Sequence, residues 1–128
     1  MTATAAPDTK KLGLIATVAA VLDATGYDDV RSRFRNENLL VEVQGTQSNE
    51  KPDLFAEEPQ PRRSIIVETV TLKELGDPER LKRRLYLFYT ASETYGWEFH
   101  LACYATVKEA LARFCARWGI RYTRIWGI

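Results

Sequence analysis

Cysteine is nearly absent from the 128 residues: there are two, Cys103 and Cys115. Two thiols are too few for a disulfide framework and both sit in apolar patterns, so two buried thiols in a reducing compartment are expected. Seven Gly and five Pro leave no room for a long low-complexity linker or a collagen-like repeat. His100 is the one histidine, with no suitably spaced cysteine beside it, which argues against zinc. A nucleophilic pairing of His100 with Cys103 fails on geometry, since i and i+3 on a strand face opposite ways. A Gly-rich phosphate loop is missing too, so nucleotide hydrolysis of the P-loop type has no support. Charge of one sign is lacking: 18 Lys+Arg against 17 Asp+Glu give +1, which excludes a generic nucleic-acid coating protein.

Long apolar runs are also missing. The longest, Leu12 to Leu22, is eleven mostly apolar residues and too short to span a bilayer. It follows Lys10-Lys11 and precedes Asp23-Ala24-Thr25-Gly26, an arrangement that imitates a secretory signal. Asp8 in the would-be basic region argues instead for a buried helix, in a cytoplasmic protein with no membrane partner.

What is present is ordinary for a packed domain: 45% hydrophobic and 27% charged residues at a length typical of one domain. Charge is unevenly spread. Residues 1–61 hold six basic and ten acidic side chains, net −4, and residues 62–128 hold twelve and seven, net +5. Such asymmetry can set an acidic patch beside a basic one.

Residues 1–7 read as a loose start. Asp8 or Thr9 caps a helix to about Ala24, stopped by Gly26, whose two apolar stripes predict cover on more than one side. Tyr27 to Asn38 reads as a polar connector. Leu39 to Val43 is expected as a first strand, Gly45 to Asn49 as a turn, Lys51 to Ala56 as a second strand and Ser64 to Thr71 as a third. Short connectors predict an antiparallel meander. Asp77-Pro78 opens a helix to about Thr94, Trp97 to Tyr104 is a strand, and Thr106 caps a helix stopped by Gly119. Arg121 to Trp126 closes the chain as a strand. Trp97, Trp118 and Trp126 read as core or half-buried anchors. The expected fold is a single-domain α/β/α sandwich: a mixed sheet with a three-strand meander followed by α-β-α-β.

Three carboxylates fall on the predicted meander: Glu42, Asp53 and Glu68. Glu68 shares its strand face with Ile66 and Val70, and a carboxylate among apolar neighbours is costly to bury unless it is paired or binds a cation. The alternative for Glu68 is a structural salt bridge to one of the arginines; for Asp53 it is an ordinary turn acid, and for Glu42 a solvated face. Carboxylate oxygens are what a hard ion such as Mg²⁺ or Mn²⁺ takes, and such an ion can polarise a phosphodiester. Arg80, Lys82, Arg83 and Arg84 border Tyr86 and Tyr89 on the second long helix, a mixture suited to nucleic-acid backbone contact and base stacking, with a solvated helix face as the alternative. Arg113 and Arg117 lie one turn apart and, with Arg121 and Arg124, form a candidate phosphate-binding ridge.

The α-β-β-β-α-β order, Pro52-Asp53 and the apolar strand carrying Glu68 resemble the PD-(D/E)XK nuclease superfamily with its restriction-endonuclease-like fold. The resemblance covers nearly the whole chain. It implies metal-dependent hydrolysis of DNA with Asp53 and Glu68 as ligands of Mg²⁺ or Mn²⁺ and Glu42 as a helper. The family's Lys, two residues after the Glu, is replaced here by Val70, which can neither donate a hydrogen bond nor offset charge on a phosphate. Lys51 and Lys73 are the candidate replacements. The Glu that members often carry in the first helix is missing between Lys11 and Leu22. The second reading is a catalytically inactive relative that binds nucleic acid or a protein; a homo-oligomer built on a Trp-rich sheet edge fits either. An active site requires the Asp53 and Glu68 carboxylates within a few ångströms of each other with an ammonium nearby. An inactive module predicts splayed carboxylates or an arginine between them.

Overall fold

The computed structural model describes residues 8–45 and 49–128, so the predicted loose start and the centre of the Gly45–Asn49 turn lie outside the described residues. Helix α1 (Thr9–Ala24) begins where Asp8 accepts the Lys10 backbone N–H at 3.0 Å. There follow β1 (Asp28–Ser32), a 3-10 turn at Glu37–Leu39, and a small hairpin of β2 (Val43–Gln44) and β3 (Asn49–Glu50). Next come β4 (Leu54–Pro59), β5 (Arg62–Thr69), the one-turn helix α2 (Leu72–Leu75) and α3 (Pro78–Tyr95). The chain ends with β6 (Glu98–Cys103), α4 (Lys108–Trp118) and β7 (Arg124–Gly127).

Five strands form one mixed sheet in the order β1-β4-β5-β6-β7. β4 runs antiparallel to both of its neighbours, β1 and β5, while β6 runs parallel to β5 and β7 parallel to β6, each after a helical crossover. The mixed sheet and its meander are as expected, but the first meander strand is β1. Residues 39–43 alternate like a strand, yet they form the end of a 3-10 turn, a loop and the first residue of β2, with Leu40 and Val43 buried against the α3 side of the core. β1 escaped notice because it is a polar edge strand, Asp-Asp-Val-Arg-Ser, with a register irregularity between Asp28 and Arg31 and Asp29 at φ 51.

The two faces of the sheet carry separate cores. Leu54, Ala56, Ile65, Val67, Ala102 and Trp126 pack on Leu14, Ile15, Val18 and Leu22 of α1. Phe55, Ile66, Val70, Phe99 and Leu101 pack on Leu81, Leu85 and Phe88 of α3 and Leu111 and Cys115 of α4. α1 is buried along one broad face; its other side, with Gly13, Ala16, Thr17 and Ala20, is exposed. The two apolar stripes adjoin, so Leu14, Ile15, Val18, Ala19 and Leu22 all enter one core and cover on a second side is not needed. Thr106 does not cap α4: it lies within a 3-10 turn, Ala105–Val107, that feeds the helix. Gly119 (φ 66) ends α4 as predicted, in the left-handed region that favours glycine. Cys103 and Cys115 are free and buried. Among the described residues no helix is long and apolar enough to cross a membrane.

Candidate active site

β5 alternates strictly: Ile65 and Val67 enter the α1 core, Ile66 the α3 core. That period sends Glu68 toward α3, where it is buried with 1% exposure. Since Leu54 pairs with Val67, the residue before β4 comes level with Glu68. That residue is Asp53, also 1% exposed, and its backbone N–H donates to Glu68 Oε1 at 2.7 Å. The two carboxylates therefore meet at the carboxyl end of β5, where the sheet stops and helices from both faces reach around it.

From the α1 side comes Lys11. Its ammonium lies 3.0 Å from Asp53 Oδ2 and 3.0 Å from Glu74 Oε1, and donates to the Thr69 carbonyl. Glu74 is held by the capping box of α2, reaching back to the Thr71 N–H at 3.0 Å. From the α3 side comes Arg84, whose Nε lies 2.6 Å from Glu68 Oε2. Its Nη2 donates to the Lys51 carbonyl at 3.1 Å and lies 3.6 Å from Asp53 Oδ1, and its Nη1 is 3.4 Å from Glu50. Arg33, from the turn after β1, brings Nη2 to 3.6 Å from Asp53 Oδ1. Asp53 Oδ2 is saturated by the Thr69 N–H at 2.9 Å and its hydroxyl at 2.8 Å. Asp53 Oδ1, by contrast, is buried with no hydrogen-bond partner, both guanidinium groups standing just beyond reach.

These contacts set the charge states. Burial favours neutral Asp53, but Lys11, Arg84 and the Thr69 N–H outweigh it and hold the acid below the usual carboxylate range. Glu68 goes the other way. Burial, then repulsion from Asp53, push it up to about 7, against the pull of Arg84 and Lys11. Burial opposes the Lys11 charge, yet Asp53, Glu68 and Glu74 keep its pKa above the ordinary lysine range. Lys11 is thus a fixed positive charge and not a base. Arg84 is likewise held charged by Glu68 and Asp53 against its own burial.

The predicted site residues divide accordingly. Asp53 and Glu68 come together. Glu42 does not join them: it lies in the exposed loop before β2 and accepts from the Asn49 side chain at 3.5 Å. Lys51 contributes its carbonyl, while its ammonium points to the Glu37 carbonyl at 3.5 Å. Lys73 is exposed on α2. The basic residues have different surroundings. Arg84 turns inward, Lys82 and Arg117 lie over Trp118 at 4.2 and 5.2 Å, Arg113 pairs with Glu109, and Arg80 and Arg83 are exposed. His100 is buried in a separate polar cluster, between Glu98 at 2.9 Å and the Trp126 indole N–H at 3.0 Å.

Sequence reasoning misses Lys11, and it assigns Arg84 to nucleic acid or solvent where the structure turns it inward. A signal for both exists. Lys11 stands at i to Leu14, Ile15, Val18 and Leu22 at i+3, i+4, i+7 and i+11, and Arg84 stands between Leu81 and Leu85 in line with Phe88. A cation within a helix's buried stripe needs a buried anion opposite it.

The oxygen donors gathered here are of the kind a divalent cation takes. Two carboxylates and the Thr69 carbonyl are hard oxygens, one of them the unpartnered Asp53 Oδ1. Among the described residues no group of three or more His, Cys, Asp or Glu side chains is placed to hold a metal ion, so a cation here would rest on two carboxylates that Lys11 and Arg84 already pair. No protein-family model matches the chain, and no curated protein or solved structure matches it.

Proposed function

We propose that the chain is a metal-dependent nuclease acting on DNA, of the PD-(D/E)XK type with a restriction-endonuclease-like fold, in which Lys11 of α1 takes the part of the missing strand lysine. The observation that carries this reading is the pair of buried carboxylates, Asp53 and Glu68, with the Lys11 ammonium 3.0 Å from Asp53 and one buried Asp53 oxygen left without a hydrogen bond. That oxygen faces Arg33 and Arg84 at 3.6 Å each, and it is the carboxylate oxygen most open to a further ligand. The helix, antiparallel meander and parallel crossovers support the same reading.

Asp53, Glu68 and the Thr69 carbonyl would hold Mg²⁺ or Mn²⁺. Bound there, the ion supplies Lewis acidity toward the phosphodiester and a water nucleophile at neutral pH. Lys11 keeps its proton and offsets charge developing on the phosphate. The Asp53 N–H and Arg84 orient Glu68.

One observation favours the second reading, a catalytically inactive module: Arg84 reaches both carboxylates, 2.6 Å from Glu68 and 3.6 Å from Asp53. Cleavage of labelled single-stranded, duplex and branched DNA with Mg²⁺ or Mn²⁺ decides between them. Cleavage by the wild type, lost in Asp53→Ala and Glu68→Ala proteins purified identically, is the expected result. A folded wild type that cleaves none of the substrates overturns it in favour of the inactive module.

A further inference from the structure

Beside the carboxylates stands a turn with an unusual tip. Ser32 and Arg35 exchange both backbone hydrogen bonds, at 2.8 and 3.1 Å, leaving Arg33 and Phe34 as a two-residue tip directly after β1. The buried Ser32 hydroxyl accepts the Phe34 N–H at 3.1 Å, and Arg35 pairs with Asp23 of α1. The turn is therefore built from three internal hydrogen bonds and an ion pair. Yet it holds Phe34 with 56% of its surface in water. Arg33 beside it is 44% exposed at its side chain, with one nitrogen 3.6 Å from the unpartnered Asp53 oxygen.

Phenylalanine offers no donor or acceptor, so what it can recognise is a flat apolar face. Arg33 beside it suits a phosphate. A strand crossing the site would meet both at once, and a base face is free to stack only where that base is unpaired and out of a duplex. We propose that this turn selects single-stranded or locally unpaired DNA, with one base stacked on Phe34 and an adjoining phosphate on Arg33. The inference rests on the nuclease reading of the Asp53–Glu68 site and assigns its substrate class.

The test is binding by the full chain in EDTA, where cleavage does not intervene. Fluorescence anisotropy is read for a fluorescein-labelled 12-nucleotide single strand and for the corresponding 12-bp duplex. The wild type should bind the single strand more tightly than the duplex. Phe34→Ala should weaken single-strand binding about 10-fold, the scale of one lost base stack. Phe34→Trp should retain it, and both variants should keep the wild-type circular dichroism spectrum, since the side chain is exposed. Arg33→Gln should lower the salt slope of binding by about one phosphate contact. Equal affinity of Phe34→Ala and wild type, preference for the duplex, or no binding of either DNA overturns the inference. The nuclease reading stands or falls separately, on Mn²⁺ binding by wild type and Asp53→Asn in the absence of DNA.

Discussion

Arg84 Nε lies 2.6 Å from Glu68 Oε2, joining the middle of α3 to the carboxyl end of β5 in a largely buried ion pair. On the other face of the sheet Lys11 makes the matching contact with Asp53 at 3.0 Å. Each helix layer thus supplies one cation to a carboxylate pair that could not be buried otherwise.

Removing one partner of such a pair leaves the other charged or forces it neutral. Arg84→Met is expected to lower stability by about 3 kcal/mol, the range for a broken buried pair. The double variant Arg84→Met/Glu68→Leu should recover more than half of that, because the buried carboxylate nearest Arg84 is removed with it and Asp53 keeps Lys11. Urea denaturation of the three proteins checks it. A double variant as unstable as the single one contradicts the assignment.

The high pKa of Glu68, about 7, gives a pH signature. Between the ordinary glutamate value near 4.5 and about 7 the folded protein holds a proton that the unfolded chain has lost. Stability from this group is therefore greatest below that window and falls as pH rises through it, by up to about 1.4 kcal/mol per pH unit. Asp53 works in the opposite sense, its contribution disappearing as pH falls below the ordinary aspartate value of 3.8. Urea midpoints of wild type and Glu68→Gln at pH 5, 6, 7 and 8 should diverge across the window and run parallel above it. A constant difference contradicts the raised value.

The ammonium of the site belongs to Lys11. Lys11→Met is expected to reduce Mn²⁺-dependent cleavage by about 100-fold or more, with Lys11→Arg retaining part of the activity. Lys51→Ala and Lys73→Ala should cleave like the wild type, because the Lys51 contact to Arg84 is made by its carbonyl and Lys73 is exposed. Initial rates on one labelled substrate compare all four.

His100 offers a probe away from the site. Burial disfavours its charged form and outweighs the nearby Glu98 carboxylate, so its pKa lies below the ordinary value of 6.5. The Trp126 indole donates to Nδ1, which fixes the neutral tautomer with the proton on Nε2 toward Glu98. Because the chain has one histidine, a single imidazole resonance reports it. Its NMR titration midpoint should fall below 6.5 in wild type, and Trp126→Phe should destabilise the fold by about 1–3 kcal/mol through the unsatisfied nitrogen.

Much of the fold was legible because local signals agreed with it. Asp8, Pro78 and Gly119 mark helix ends, and the β-branched run of β5 marks a central strand. β1 was not legible: as an edge strand it needs few apolar residues, and Val30 is the one large aliphatic it has. Leu39 to Val43 misled because the core takes Leu40 from a loop and Val43 from the start of the short strand β2, not one face of a five-residue strand. At the site, Asp53 and Glu68 were visible through their strand contexts. Lys11 lies 42 residues before Asp53, and only the helix-to-sheet packing brings the two together. The apolar stripe around Lys11 held the clue, since a lysine there must find an anion.

The most direct test is whether this pair of carboxylates takes a divalent cation with Arg84 in place. Mn²⁺ binding measured by electron paramagnetic resonance on the wild type, Asp53→Asn and Glu68→Gln, at pH 7.5 and low salt, answers it. One bound Mn²⁺ per wild-type chain, lost in both variants, is the expected result. A folded wild type that binds no Mn²⁺ would mean that Arg84 and Lys11 are the permanent cations of the site, and the metal-dependent nuclease reading would fall.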